Sequence, residues 1–509
     1  MNTHNYLLLI TCIAIFAGFP TAASENAVWP QFRGPNGSGL ANAFKPPVRI
    51  AADKPAWKTP IPPGKSSPVV CNGTIFLTGV QTGRLATLAI DSKSGKLLWQ
   101  KPAPEVKLES VHSAGSVAAS TPCVDEQRVY AYFGSYGLLC YDHAGKELWN
   151  KPIPTPQSMY GVSTSPILHD QKLILVLDDD ATLPDSKLSR SRVIALDKAT
   201  GQIAWETPRP NNRGVWSSPM IWKQDHGTDL VVLGDGRISG YDPATGSERW
   251  LVTGFAREPI AVPVAGSGHL FASVAMQGGR GDVKLDPEPF WKALLPLDRN
   301  GDGMIGRDEM TTDFTMPLRP ELPLGHPGFG LPLPADPAKR REKQEKMFDM
   351  RDKNHDGLLT REEFVTDMNV GHGEPFLMAI RPGGTGDVTA THVAWRISSG
   401  VPEIPCPIHH SGRLYLVRDG GILNCVNATT GESIYRQRLG PSGQYCASPV
   451  IANDHLYILS SKGHLSIVAT GDRFEILHQT DLKAPVSATP AMDMNSLYVR
   501  TDDAIMTFR

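Results

Sequence analysis

The chain has 509 residues, 40% hydrophobic and 20% charged, with a formal net charge of -2. That balance is ordinary for a globular protein and leaves no basic footprint, so no nucleic-acid partner is expected. Its 48 glycines and 43 prolines favour many turns over long helices.

Leu7 to Phe19 form an apolar run too short for a stable membrane span, and the small residues Thr21, Ala22 and Ala23 follow it. Residues 1–23 therefore read as a signal peptide cleaved near Ala23. No later segment is long and apolar enough to cross a bilayer, so the mature chain is expected to be periplasmic or secreted, with no transmembrane segment. Cys12 lies in the apolar run. Cys71, Cys123, Cys140, Cys406, Cys425 and Cys446 remain, none adjacent and none in a C-x-x-C. Their spacing marks no disulfide framework, and buried small residues in strand cores are the simpler reading.

A proline anchor recurs at Pro68, Pro122, Pro166, Pro219, Pro263, Pro407, Pro449 and Pro490, often after Ser or Thr, as in Ser66-Ser67-Pro68 and Ser217-Ser218-Pro219. Eight residues beyond it stands an apolar residue of a second strand: Phe76, Tyr130, Ile174, Phe271, Tyr415, Tyr457 or Tyr498. In the Pro219 unit four extra turn residues move that place to Val231. Proline is tolerated where a strand begins, because its missing N–H need not join the ladder. Each unit closes on a turn and a last strand, as in Ala89-Ile-Asp-Ser-Lys-Ser-Gly-Lys-Leu-Leu-Trp99 and Ala195 to Trp205. Asp and Ser/Thr bond the turn backbone, Gly takes positive φ, and the Trp offers a face for packing between sheets.

Successive anchors lie 54, 44, 53, 44, 144, 42 and 41 residues apart. A four-stranded propeller blade takes about 40–45 residues, so an all-β, eight-bladed β-propeller is expected, with an insert in the fifth blade. A linear solenoid would need atypical capping repeats. Here the last unit, ending at Arg509, has chain for only three strands, and Pro55-Ala-Trp57-Lys-Thr carries the missing fourth. The implied division is propeller 24–277, insert 278–374 and propeller 375–509. In the fifth blade, alternation resumes at Phe376, Met378 and Ile380 and the closing residue is Trp395.

The A-x-D-x-x-[ST]-G-x-x-x-W units resemble those of the pyrroloquinoline quinone (PQQ)-like β-propeller repeat proteins, a group that includes quinoprotein dehydrogenases and the non-enzymatic outer-membrane assembly factor BamB. Trp29-Pro-Gln-Phe-Arg-Gly-Pro-Asn-Gly-Ser-Gly39 and Arg413 to Gly421 resemble a secreted bacterial branch of that group. The resemblance implies the fold. It says little of activity, because the repeated motif packs blades.

The insert carries two stretches with the calcium-loop pattern of an EF-hand, Asp298 to Glu309 and Asp352 to Glu363. Calcium takes six to eight oxygens. Asp298, Asn300 and Asp302 supply side-chain oxygens in the first loop, and Asp352, Asn354 and Asp356 in the second. Gly303 and Gly357 make the sharp turn, Met304 and Leu358 give carbonyls, and Glu309 and Glu363 give bidentate carboxylates. Thr360 adds an oxygen in the second loop, where the first has Gly306 and needs water. One match would be an acidic turn; two complete ones, with a helix-like flank from Asp336 to Met350, predict a small α-helical pair binding two Ca2+. Ile305 and Leu359 are placed to pair across the loops.

Residues just before the anchors should ring a funnel: Lys65, Tyr160, Trp216, Arg257, Glu258, Glu403 and Tyr445. Such a mixture suits a protein, peptide or glycan partner, against the plainer reading of a polar rim. Asp178-Asp179-Asp180 reads as a solvated acidic turn and His409-His410 as a surface turn. The resemblance also implies an alternative, a PQQ-dependent dehydrogenase. That reading is not favoured: the vicinal cysteine pair of many such enzymes is missing, and no axial metal-and-base set can be matched. The favoured expectation is a calcium-binding propeller that is a non-catalytic scaffold or binding protein.

Overall fold

Each proline anchor ends a loop and opens the innermost strand of an antiparallel sheet, and eight such sheets follow one another in the computed structural model. The described residues are 28–181, 188–214, 216–225, 227–256, 258–274, 287–317, 320–326, 328–367 and 376–509. The signal-peptide reading and the insert boundaries at 278 and 374 lie outside them.

The predicted register is observed. The residue after each anchor faces the apolar residue of the second strand, as in Val69↔Phe76, Cys123↔Tyr130, Met220↔Val231 and Ala491↔Tyr498. Blade 8 takes its fourth strand from the other end of the chain, Trp57–Pro60, with Trp57 opposite Thr507. Arg500 latches this closure: fully buried, it donates to the carbonyls of Pro62, Ser66 and Thr78 in blade 1.

The closing Trp has a specific task. Trp57, Trp99, Trp149 and Trp205 each donate Nε1–H to a turn carbonyl of the next blade, at 2.8–3.2 Å. The indole lies against that turn's glycine. A Cβ on Gly95, Gly145, Gly201 or Gly246 would come within 2.4–2.8 Å of it, and each has φ between 71° and 82°. Glycine is thus required twice over, by conformation and by contact. Blade 5 lacks this turn. Its last two strands, Phe376–Ile380 and Val393–Ile397, are joined by a longer excursion whose Gly386–Asp387 pairs in parallel with Trp250 and Leu251 at the outer edge of blade 4. Trp250 turns to its own blade and donates to Asp229 at 2.7 Å.

Before the first blade, Trp29 to Ala41 crosses the axis. Trp29 pairs with Val70 of blade 1, Pro30 accepts from Val124 of blade 2, and Asn36 exchanges two bonds with Ile221 of blade 4. Arg33 donates to Pro407 before blade 6, and Gly39 and Ala41 pair with Ile451 of blade 7. The segment floors the central channel.

The insert has its own core. Phe290, Trp291, Leu294, Leu297, Ile305, Phe314, Phe329, Phe348, Leu359 and Phe364 belong to one buried cluster that holds no propeller residue. Helices α1 (Glu288–Leu294), α2 (Pro337–Asp349) and α3 (Arg361–Asp367) frame it. Asp336 caps α2, its side chain accepting from Lys339 N–H at 2.9 Å. The Pro-rich stretch between the loops supplies Met316, Leu322, Leu331 and Leu333 to the same cluster, which accounts for the long spacing.

Candidate functional sites: the axial funnel and the paired acidic loops

The pre-proline residues build a ring around the axis. Ser67 N–H donates to Thr121 Oγ1, Thr121 N–H to Ser165 Oγ, and Ser165 N–H to Ser218 Oγ, at 2.8–3.0 Å. Val262 N–H donates to Cys406 Sγ at 3.1 Å, Cys406 N–H to Ser448 Oγ, Ser448 N–H to Thr489 Oγ1 and Thr489 N–H back to Ser67 Oγ, each of these three at 3.0 Å. Seven of the eight junctions are joined this way. The link from Ser218 to blade 5 is missing because Val262 has no acceptor. Proline at the next position fixes the backbone that aims each N–H along the ring.

Above this ring lies a cavity of about 450 Å³, with Phe32 of the crossing segment at its floor. One wall is aromatic: His112, Tyr160 and Trp216 meet edge to face, with centroids 5.3 Å apart in each pair. Trp216 is held by Nε1–H to the Gly161 carbonyl at 2.9 Å, and His112 Nδ1 accepts from Ala114 N–H. Half-buried Glu109 supports this wall, accepting from Ser135 Oγ at 3.2 Å. Burial holds its carboxyl above the usual range, against the pull of that bond. Opposite stand Glu403, Gln444 and Cys446. Partial desolvation, then the charge of Asp419, raise Glu403 as well. Lys65 crosses to the Ala114 carbonyl at 2.5 Å.

Lys65, Tyr160, Trp216 and Glu403 thus line the funnel as expected. Arg257 lies outside the described residues, and Glu258 is not among the lining. Tyr445 is a correction: it is 1% exposed, its hydroxyl bonded to the Pro441 carbonyl. Side chains alternate along that loop, so Gln444 and Cys446 face the cavity and Tyr445 faces the core. The Asp178–Asp180 reading is corrected too. Asp178 is buried, both its oxygens accepting from Arg209 Nη1 at 2.7 and 2.8 Å, and Asp179 accepts from the amides of Gln157 and Ala181. His409 and His410 are not in a turn; they end the strand Ile408–His410, with His409 stacked on Phe271 at 5.9 Å. Cys71, Cys123, Cys140, Cys406 and Cys425 are buried free thiols. The hydroxyl ring was not anticipated, although Ser or Thr before proline was its signal.

The two acidic loops face each other across a short sheet in which Ile305 pairs with Leu359. They are wound alike. Asp298 takes the amides of Gly301 and Gly303, as Asp352 takes those of Asp356 and Gly357. Asn300 and Asn354 each accept from the amide two residues on, and so do Asp302 and Asp356, from Met304 and Leu358. Glu309 accepts from Arg299, Asn300 and Gly306; Glu363 accepts from Lys353, Asn354 and Thr360. With their carboxylates turned to loop amides, no three His, Cys, Asp or Glu side chains among the described residues converge at metal-binding range.

Among the described residues no helix is long and apolar enough to cross a membrane. No curated protein matches the sequence. Among solved structures, BamB from Moraxella catarrhalis shares the fold at TM-score 0.50 and 11% identity, over 89% of this chain and 98% of that one. The quinohemoprotein alcohol dehydrogenase from Comamonas testosteroni does so at 0.53 and 11%, over 95% and 80%. A europium-containing methanol dehydrogenase does so at 0.52 and 11%, over 95% and 98%. A non-catalytic assembly factor and two enzymes on one fold mean that fold alone does not decide activity. The family model described as outer membrane protein assembly factor BamB matches residues 52–207, 161–284 and 385–474, and the chain, a β-propeller of PQQ-like repeats, belongs to that family.

Proposed function

We propose that this is an exported, calcium-binding β-propeller acting without catalysis, a scaffold that holds a protein, peptide or glycan partner at the axial funnel. The observation that carries the reading is the cavity of about 450 Å³, which joins an aromatic wall to a few convergent polar groups. The hydroxyls of the ring at its base are already engaged in holding the blades together, which suits recognition better than nucleophilic work. The insert is tied to the same face. Val274 and Phe376, which flank it, pair with each other at the funnel end of blade 5.

Calcium in the paired loops is the second part of the reading. All the donors are hard oxygens, and Glu309 and Asp352 are 3% and 0% exposed. Backbone amides soften the burial of two carboxylates without neutralising it, so a cation fits there. Calorimetric titration of the chelated protein is expected to show two sites. E309Q combined with E363Q is expected to abolish most of the binding; unchanged stoichiometry would refute the assignment.

PQQ fits the funnel less well. Its three carboxylates need cations, and among the described lining residues the one lysine or arginine is Lys65, already donated to Ala114. The alternative, a PQQ-dependent dehydrogenase, therefore rests on shared fold. Reconstitution with PQQ and calcium, assayed on alcohols with a dye acceptor, is expected to give no turnover. Alanine at Trp216 or Tyr160 is expected to weaken partner capture without unfolding the propeller, and retained capture would move the site away from the funnel.

A further inference from the structure

The two loops are wound alike but are not placed alike. Arg307, in the first loop, reaches across the pair. Its Nη1 donates to Glu345 at 2.8 Å, and its Nη2 lies 2.7 Å from Asp349, both on α2. The same Nη2 stands 3.4 Å from Oδ2 of Asp352, the first ligand position of the second loop. The guanidinium also covers the Phe348 ring at 4.6 Å, and the backbone N–H of Arg307 donates to the Gly357 carbonyl. Arg361 holds the corresponding place in the second loop and goes instead to Glu288 on α1. Asp298, the first ligand position of the first loop, accepts from the amides of Gly301 and Gly303. Both leading carboxylates take two loop amides, but only Asp352 among the two also has a guanidinium beside it, at 3.4 Å.

We propose that Arg307 is a built-in competitor for the metal of the second loop, so that the two sites are unequal and the first fills before the second. The inference rests on the calcium reading of the loops. Asp352 is fully buried, and the guanidinium supplies part of the positive charge it needs. A divalent ion arriving at Asp352 meets a like charge held in place by Glu345 and Asp349, and either displaces the arginine or binds beside it. Both outcomes lower its affinity, by about tenfold for charges roughly 6 Å apart in a water-like medium. Arg361 imposes no such cost, because its partner lies outside the first loop.

The test is calcium calorimetry on the chelated full-length chain. Wild type is expected to show two affinities; E363Q should remove the weaker and E309Q the stronger. R307Q is expected to tighten the weaker site about tenfold and leave the stronger within about twofold. R307K keeps the charge but cannot bridge three carboxylates, and is expected to recover part of that gain. A thermal scan in chelator checks that each variant folds. Two equal wild-type affinities, or a weaker site left unchanged or loosened by R307Q, would reduce Arg307 to a helix latch and overturn the proposal while the calcium reading stands. A wild-type chain that takes up no calcium would overturn both.

Discussion

The propeller and the insert both bury charged groups, and they answer that burial in different ways. In the propeller the answer comes from another part of the same chain. Arg500 is met by three carbonyls of the neighbouring blade, Asp178 by Arg209, and each ring hydroxyl by the N–H of the preceding blade. In the insert, Glu309 is met only by amides and Asp352 by amides and one distant guanidinium contact. In the first region these groups are met by side chains, carbonyls and amides distant in sequence. In the second they are met by amides of their own loop, the setting in which we propose calcium.

The strongest way to sharpen this contrast is to separate the regions. Deleting 280–373, so that Gly279 meets Glu374, is expected to remove all calcium binding and every chelator-dependent shift in melting while strand-rich circular dichroism persists. Val274 and Phe376 already face each other, so a short link suffices. Loss of the propeller on deletion would show the insert to be part of its core. Within the propeller, W149A removes an indole that spans blades 2 and 3, and should cost about 3–5 kcal/mol in denaturant unfolding. That loss should be the same with and without chelator.

A third test uses pH. Burial, with His410 adding to it, pushes His409 from 6.5 down to about 4. A base whose folded value is depressed binds fewer protons folded than unfolded across that window. Stability is therefore full above about pH 6.5 and falls as pH drops toward 4. H409Q is expected to flatten the acid limb of the melting profile, by about 1 kcal/mol or more at pH 4.5; an unchanged limb would count against the burial argument. The smallest effect belongs to V262T, which offers Ser218 N–H the missing acceptor. It should stabilise the propeller by about 0.5–1.5 kcal/mol, a gain calorimetric melting can resolve.

Much of this architecture was legible in the sequence because it repeats. Eight anchors, a fixed offset to the second strand and the D-x-x-[ST]-G turn recur often enough to fix blade number and register, and the lone Trp57 strand disclosed the closure. The errors have separate causes, of which a partner distant in sequence is one. Asp178 looks solvated until Arg209, 31 residues on, is placed beside it. His409-His410 looks like a turn because two polar residues follow the anchor, yet the turn comes one residue later, at Ser411-Gly412. Lys65, Tyr160, Trp216 and Glu403 were placed at the funnel from their distance to the anchors alone. Tyr445 failed because strand-like alternation runs on into the loop. The loop residues of the insert were read from local spacing, whereas the reach of Arg307 to Asp352, across 45 residues, was not.

The segment from Trp29 to Ala41 has a consequence in time as well as space. It is bound by blades 1, 2, 4, 6 and 7, with contacts such as Leu40 to Ile451 and Arg33 to Pro407 that span 374 residues or more. These links form only when the late blades exist, so the channel floor is completed after most of the chain has been ordered. Folding dominated by contacts this remote is slow. The same property works in reverse: a protease meeting the folded molecule finds its early and late segments tied to each other, and neither frays alone. Resistance is then set by the rate of opening the whole ring, which is a kinetic barrier.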